Sequence, residues 1–356
     1  MKPFHFPLLP FGQRPLVHFP FTSLSLPFLS LLTALVLLFL LNLFIGSVEI
    51  PVSEVIDILF GRGESKESWR FIVVESRLPQ AITATLCGSA LAVCGLLLQT
   101  AFHNPLAGPG IFGITSGASL AVALVMLLLG GSIATEILCF TGFTAILAAA
   151  FVGAMAVPAV LYFFSRFVHN HVMLLIIGIM VGYLASSAVT LLSSLATEEG
   201  VRSYVMWGMG TFGGVSLRHL PLFVLGIIVG IGSAVVLVKP LNAMLLGDHY
   251  AQNLGIDTRR VRNRLLLTTG LLCAVTTAFC GPIAFIGLAV PHLAQLLLRR
   301  ANHRLLMPAT LLVGAVVALA CNLICSLPSS GVRPPLNAVT PFFGAPVIIY
   351  MILKRK

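Results

Sequence analysis

The sequence predicts an all-α integral membrane protein of about ten transmembrane helices, with both termini cytoplasmic. Three observations carry that prediction. Of 356 residues, 58% are hydrophobic and only 9% charged, whereas charge makes up roughly a quarter of an ordinary soluble domain; the mean hydropathy is +1.03. The apolar residues fall in runs long enough to span a bilayer, about 20 residues each. The basic residues behind the formal net charge of +10 lie in short intervals between those runs. That placement orients a membrane protein, and it removes nucleic acid from the expected partners.

Residues 1–23 are rich in Pro and Phe and carry only Lys2 and Arg14 as fixed charges, which suggests a cytoplasmic tail. The first span follows from Leu24 to Ile45, longer than the core of a secretory signal. Ser47 to Ser76 is polar. From Gln80 to Ser165 the one formal charge is Glu136, and the interval holds three spans, broken at His103-Asn104-Pro105 and near Gly130-Gly131-Ser132. Arg166 to His171 marks a water-facing turn, and a fifth span runs from about Val172 to Leu195. A polar interval, 197–220, precedes a sixth span over about Pro221 to Val238. The uncharged interval 265–298 suffices for two short helices bent at Gly281-Pro282. A ninth span ends near Leu327, and a tenth reaches Leu353 before the basic tail 354–356. The chain is therefore one ten-helix domain over 24–353 with a loop at 239–264.

Ten spans put both termini on one side. That side holds Lys2, Arg14, Arg166, Lys239, Arg259, Arg260, Arg262, Arg264, Arg299, Arg300, Arg304, Lys354, Arg355 and Lys356. The opposite side holds Arg62, Lys66, Arg70, Arg77, Arg202, Arg218 and Arg333, half as many. Positive residues favour the cytoplasm, so the termini and the 239–264 loop are expected there. Within that loop Asp248 is suited to cap a short helix whose Tyr250, Ala251 and Leu254 share a face. Gly255 suits a left-handed terminus and Thr258 a second cap. A patterned polar loop between apolar runs reads either as a solvated basic face or as a docking surface for a soluble partner.

The chemistry is otherwise sparse. There is no phosphate-binding G-x-x-x-x-G-K-[ST], no H-E-x-x-H and no G-x-S-x-G, so no enzyme is indicated. Glu136 is the sole acid between Glu75 and Glu198. A proton- or ion-coupled carrier usually keeps an ionisable group at mid-membrane, so its absence argues against that class and asks for an outside energy source. The seven cysteines lie inside apolar runs without a histidine at ligand spacing, which indicates helix packing rather than a metal site. His292, Met206 and Met209 read as packing residues. Gly113/Gly117, Gly178/Gly182 and Gly226/Gly230 recur at the spacing that lets helix backbones approach.

RLPQAITATLCGSALAVCGLLLQTAFHNPLAGPGIFGITSGASL, residues 77–120, resembles the signature of permease subunits of type II ABC importers, which carry iron-siderophores, haem and cobalamin. Further segments match in order: 206–218, LNAMLLGDHYAQNLG at 241–255, GPIAFIGLAVPHLAQLLL at 281–298 and NAVTPFFGAPVIIYMIL at 337–353. The resemblance implies a transport subunit in the bacterial inner membrane, working as a pair with a second copy of itself. It implies two cytoplasmic ATP-binding subunits, which carry ATP and Mg, and an extracytoplasmic binding protein that delivers the metal-chelate substrate. No cofactor is implied on this chain. An iron chelate, siderophore or haem, is the first expectation and cobalamin the alternative; a stand-alone secondary carrier is the rival from another class. Leu246, Gly247, Asp248, Ala251, Leu254 and Gly255 match the family's ATPase-coupling helices. Arg77 matches an arginine near which the binding protein docks, and Arg333 offers a second outer cation. Gln99, Asn104, Pro105, Asn170 and His171 match the path and its inner gate. Gln80, Asn322 and Ser326 depart from the family, standing where it has arginine, aspartate and arginine.

Overall fold

The computed structural model describes residues 22–62, 66–128, 132–134, 139–168, 171–327 and 334–354. Its elements in order are α1 (Thr22–Phe44), α2 (Val52–Phe60), α3 (Glu67–Phe71), α4 (Leu78–Ala101), α5 (Ile114–Ala123), β1 (Ser132–Ala134), β2 (Cys139–Thr141), α6 (Phe143–Phe164), α7 (His171–Leu195), α8 (Glu198–Gly208), α9 (Leu220–Val236), α10 (Val238–Met244), α11 (Asp248–Asn253), α12 (Thr258–Cys280), α13 (Ile286–Leu298), α14 (His303–Ser326) and α15 (Leu336–Lys354). Wider π-helical turns join α3 to α4 over Ile72–Arg77 and extend α5 over Leu124–Leu128.

Six of these helices are long and apolar enough to cross a membrane, seven if α9 and α10, bent by 47° at their junction, count as one span. Three shorter apolar helices, Ile114–Leu128, Ile286–Leu298 and Leu336–Met351, fall where the sequence places the remaining crossings. The polar interval 47–76 holds α2 and α3, and 197–220 holds α8. The tail up to residue 21 lies outside the described residues. An all-α reading misses one detail: β1 and β2 pair antiparallel, Ile133 opposite Phe140, in a three-residue ribbon.

Helix α4 is the axis of the bundle. It is apolar on every face and rich in Ala and Gly, which is the pattern of a helix enclosed by others, and nearly every residue from Ala81 to Ala101 is buried. Around it pack α14, α12, α13 and α9. Contact is direct backbone on backbone at two points, where a Cβ on Gly88 would overlap the Gly314 carbonyl and one on Gly95 the Gly287 carbonyl. The spacings noted in the sequence also find partners: Gly113 and Gly117 of the α5 segment meet Gly178 of α7 and Gly153 of α6, while Gly226 and Gly230 of α9 receive Val275 and Leu272 of α12. At the periphery α1 and α7 leave Leu29, Leu37, Leu184 and Leu191 exposed, which suits a hydrocarbon surround. Of the cysteines, Cys87, Cys94, Cys273, Cys280 and Cys321 are buried and Cys325 partly so, all as free thiols.

Candidate functional site

The segment 239–264 is built as a shelf across one end of the bundle. Leu241 and Met244 of α10 and Ala251 of α11 point inward and are fully buried. Leu246, Tyr250 and Leu254 point outward, 64%, 49% and 58% exposed. Ala251 is thus on the opposite face from Tyr250 and Leu254, which corrects the shared face read from the sequence. Gly255 has the expected left-handed backbone, φ +79°. The two caps are displaced by one residue each. Gly247 (φ 104°, ψ 152°) stands at the N-cap of α11 with no side-chain bond, and Asp257 rather than Thr258 caps α12 by accepting from Arg260 N. Thr258 instead accepts from Gln252 Nε2 at 3.3 Å.

Asp248 does not cap because it has a stronger partner. Its Oδ2 accepts from Arg262 Nη2 at 3.0 Å, and both side chains are largely withdrawn from solvent, 26% and 11% exposed. A carboxylate cap would be charge-assisted too, but here the carboxylate meets a full positive charge instead. Asp248 Oδ1 and Arg262 Nε remain buried without a hydrogen-bond partner. The Arg262 guanidinium sits 5.9 Å over the Phe102 ring, and Phe102 in turn packs on Phe112 at 4.5 Å. Arg259 Nη2 donates to the carbonyls of Ser165 (2.7 Å) and Arg166 (2.6 Å), where cations favour the end of α6.

Two further braces tie α10 to the transmembrane helices. His103, in a left-handed conformation at φ 48°, has Nε2 3.0 Å from Met244 O. Asn242 Oδ1 accepts from His303 N (2.8 Å) and Nδ1 (3.0 Å), while the other ring nitrogen of His303 lies 2.8 Å from Thr100 Oγ1. Because Asn242 Oδ1 already faces a backbone donor, Nδ1 carries a proton in that bond. Thr100, Asn242 and His303 were not legible as a unit in the sequence; no spacing links them.

The 102–113 loop connects the shelf to the interior. Asn104 Oδ1 accepts from Leu106 N at 2.9 Å in an Asx turn, the Pro105 carbonyl meets His292 Nε2 at 2.8 Å, and Gln99 Nε2 donates to Leu288 O at 3.0 Å. Gln99 and Pro105 therefore both reach α13, with Asn104 shaping the turn between them. Asn170 lies outside the described residues, and of His171 only the backbone, at the start of α7, is described.

Beyond this loop, residues 281–285 link α12 to α13 without regular secondary structure and end at Phe285, whose φ of +67° is a strained conformation for a bulky residue. Asn337 holds the strain. Its Oδ1 accepts from Ala284 N (3.1 Å), and its Nδ2 donates to Pro282 O (2.6 Å) and Gly208 O (3.0 Å). The same loop lines two neighbouring cavities that share Thr115 and Pro282: one of about 280 Å³ that reaches Phe285 and Leu288, the other of about 340 Å³ against α5, α7 and α8. Asn337 opens the NAVTPFFGAP segment, the one signal that pointed to it.

At the opposite end Arg77 is 6% exposed. Its guanidinium donates to Leu43 O and Phe44 O at 2.9 Å each and to Val48 O, closing the last turn of α1. It is a clamp on the α1–α2 connection rather than a solvent-facing cation. Gln80 and Asn322, both departures from the family pattern, meet each other at 2.8 Å, and Asn322 donates to Asn42 Oδ1 at 2.7 Å. The two substitutions make one neutral amide pair. Arg333 lies outside the described residues. No group of three potential metal ligands occurs among the described residues.

Comparison with known proteins gives a consistent result. The model of the FecCD transport family matches residues 34–354. A hemin transport system permease protein, HmuU of Yersinia pestis, is 32% identical over 289 residues, 79% of this chain and 82% of that protein. A vitamin B12 import system permease protein, BtuC of Vibrio cholerae, is 35% identical over 287 residues, 80% and 83% of the two. Among solved structures, an inward-facing conformation of an ABC transporter assigned to the metal-chelate type superposes with a TM-score of 0.77 at 28% identity, covering 93% of this chain and 99% of that one.

Proposed function

The chain belongs to the FecCD transport family, and from that premise we propose that it is the permease subunit of an ABC importer that moves an iron chelate, siderophore or haem, inward by alternating access. Cobalamin is the second reading, favoured by the likeness to vitamin B12 permeases. In this proposal the chain crosses the bacterial inner membrane ten times, counting the three short apolar helices, with both termini cytoplasmic. It pairs with a second copy, and two ATP-binding subunits supply ATP, Mg and the hydrolysis step.

The observation that carries the reading is the 239–264 shelf. Three large apolar side chains, Leu246, Tyr250 and Leu254, are exposed among basic residues at the end of the bundle. Such a patch marks a protein–protein contact. Every inward face of the same shelf is tied to a transmembrane helix: α10 to α4 and α14, α11 to α12, and the start of α12 to the end of α6. A push on the exposed side is delivered to the bundle. Gln99, Asn104, Pro105, Asn170 and His171 line the translocation path and its gate in this scheme, with the inner gate at Asn170 and His171. The binding protein docks at the opposite face through Arg333, with Arg77 acting through the connection it clamps.

The test is uptake of radiolabelled iron chelates and cobalamin into proteoliposomes containing the permease with its ATPase. Leu254→Arg on the exposed face is expected to abolish ATP-driven uptake and weaken co-purification of the ATPase while the permease still folds. Uptake that ignores both ATP and this substitution would instead establish a secondary carrier.

A further inference from the structure

Helix α10 leaves α9 at a bend of 47° and packs on α14 and α4. One side chain stands where all three of α10, α14 and α4 meet. His303 is the first residue of α14, and it is fully buried, with Thr100 of α4 buried beside it. Its backbone N and its Nδ1 both face Asn242 Oδ1 of α10, at 2.8 and 3.0 Å, and its Nε2 lies 2.8 Å from Thr100 Oγ1. The Asn242 amide is fixed in that orientation. Its Nδ2 donates at 3.1 Å to Asn302 Oδ1, which also accepts from Arg304 N. The direction of the remaining bonds follows: Nδ1 donates to Asn242, and in the neutral ring Nε2 accepts the Thr100 hydroxyl proton. Residues 100, 242 and 303 thus form one unbroken run of hydrogen bonds across three helices.

Resting on the importer reading above, we propose that His303 is the positioning residue that passes a displacement of α10 to α4 and α14 together. The braces of the shelf differ in stiffness, and that difference singles out this one. The Asp248–Arg262 pair keeps some solvent contact, rests on a long arginine arm and leaves polar atoms on both partners over. His103 is exposed, so water can replace its bond to Met244 O. The His303 bridge is dry. A bond broken there finds no water in exchange, and the full cost of an unmade buried bond resists the break. Apolar contacts at Leu241 and Met244 hold α10 against the bundle with or without the bridge. They are non-directional, however, and set no register along the helix axis. Loss of the bridge therefore leaves the shelf attached but lets it slip against the helices it should move.

The experiment uses the full complex of permease, ATPase and binding protein in proteoliposomes, with a radiolabelled ferric trihydroxamate, haem and cobalamin offered in turn. Cargo uptake and ATP hydrolysis are read in the same vesicles, and their ratio is the measured quantity. Thr100→Val removes the hydroxyl at nearly constant shape. His303→Asn keeps a donor toward Asn242 but is too short to reach Thr100. Thr310→Val is the matched control, because Thr310 and Thr100 both place their hydroxyls on the carbonyl one turn back, at 2.7 and 2.9 Å, and only Thr100 also reaches a third helix. Uptake per ATP is expected to fall about five- to tenfold in Thr100→Val and in His303→Asn, and to stay unchanged in Thr310→Val. The double variant is expected to fall no further, since both changes cut the same link. An unchanged ratio in the bridge variants, whatever their melting temperatures, would overturn the positioning role and leave the importer reading intact. Losses that multiply in the double variant would overturn it too. Should His303→Asn fail to assemble, Thr100→Val against Thr310→Val decides. A wild type without ATP-driven uptake of any probe would overturn both readings together.

Discussion

Two arginines are buried at opposite ends of the bundle, and they are used differently. Arg77 spends its guanidinium on three main-chain carbonyls of one connection and has no ion pair among the described residues. Next to it the Gln80–Asn322–Asn42 chain joins α4, α14 and α1 through neutral amides. Arg262 is held by one carboxylate oxygen and one aromatic face, and polar atoms on both partners are left over. The Arg77 end is a fully committed fastening. The Arg262 end is a partial one, with exposed apolar side chains on its outer face. The first kind of bonding suits fixed architecture; the second suits the partner-responsive surface of the proposed function.

The comparison breaks first at Asp248. Asp248→Ala leaves Arg262 buried without its counter-ion, and a loss of about 3 kcal/mol in stability is expected, near the low end for such a break because Asp248 keeps some solvent contact. Thermal unfolding of the purified permease measures it. The double variant with Arg262→Met is expected to recover most of the loss, since a hydrophobe of similar reach removes the stranded charge. If the double variant melts no higher than the single one, Arg262 was not stabilised through Asp248.

Arg77→Met tests the other end. It removes three charge-assisted bonds to carbonyls, for an expected loss of about 2 kcal/mol, with binding-protein affinity changed only as far as the α1–α2 connection loosens. Affinity falling tenfold at an unchanged melting temperature would make Arg77 a direct docking residue and erase the contrast drawn here. Asn322→Leu is expected to cost about 1 kcal/mol, in line with modest hydrogen-bond energies inside membrane bundles. The reading of Gln80 and Asn322 as one pair predicts non-additivity: Gln80→Leu on top of Asn322→Leu costs less than it does alone. The smallest effect belongs to Arg260→Ala. Its pair with Asp257 is exposed, 82% and 49%, and a change under about 0.5 kcal/mol is expected; a larger value would mean that the Asp257 cap depends on the pair.

What the sequence made legible follows from local physics. Apolar runs and uncharged intervals located the helices, including the short ones near residues 114 and 286, because hydrophobic length is written in consecutive residues. Gly255 showed its backbone, and the glycine pairs their packing faces, for the same reason. What stayed hidden depends on partners far along the chain. Asp248 gave up a cap for an arginine fourteen residues on. Arg77 turned toward carbonyls some thirty positions earlier, and Gln80 found Asn322 at a separation of 242. His303 carries no motif, nothing in the 241–255 segment ties Asn242 to it, and the cavity beside Thr115 is assembled from three helices. Each of these needs the tertiary placement first.

The bare contacts of α4 with α14 and α13 constrain what kind of machine the bundle can be. Where Gly88 meets Gly314 and Gly95 meets Gly287 the backbones touch, with nothing larger than the alanines Ala92 and Ala318 beside the first contact. Tilting one of these helices about another would have to break these close backbone contacts. In the proposed function a stroke from the shelf carries them as one strut, and the give in the molecule belongs to joints elsewhere, such as the α9–α10 elbow with its 47° bend. Spin labels on α4 and α14 are expected to hold a constant separation through the ATP cycle, while labels across the elbow change theirs.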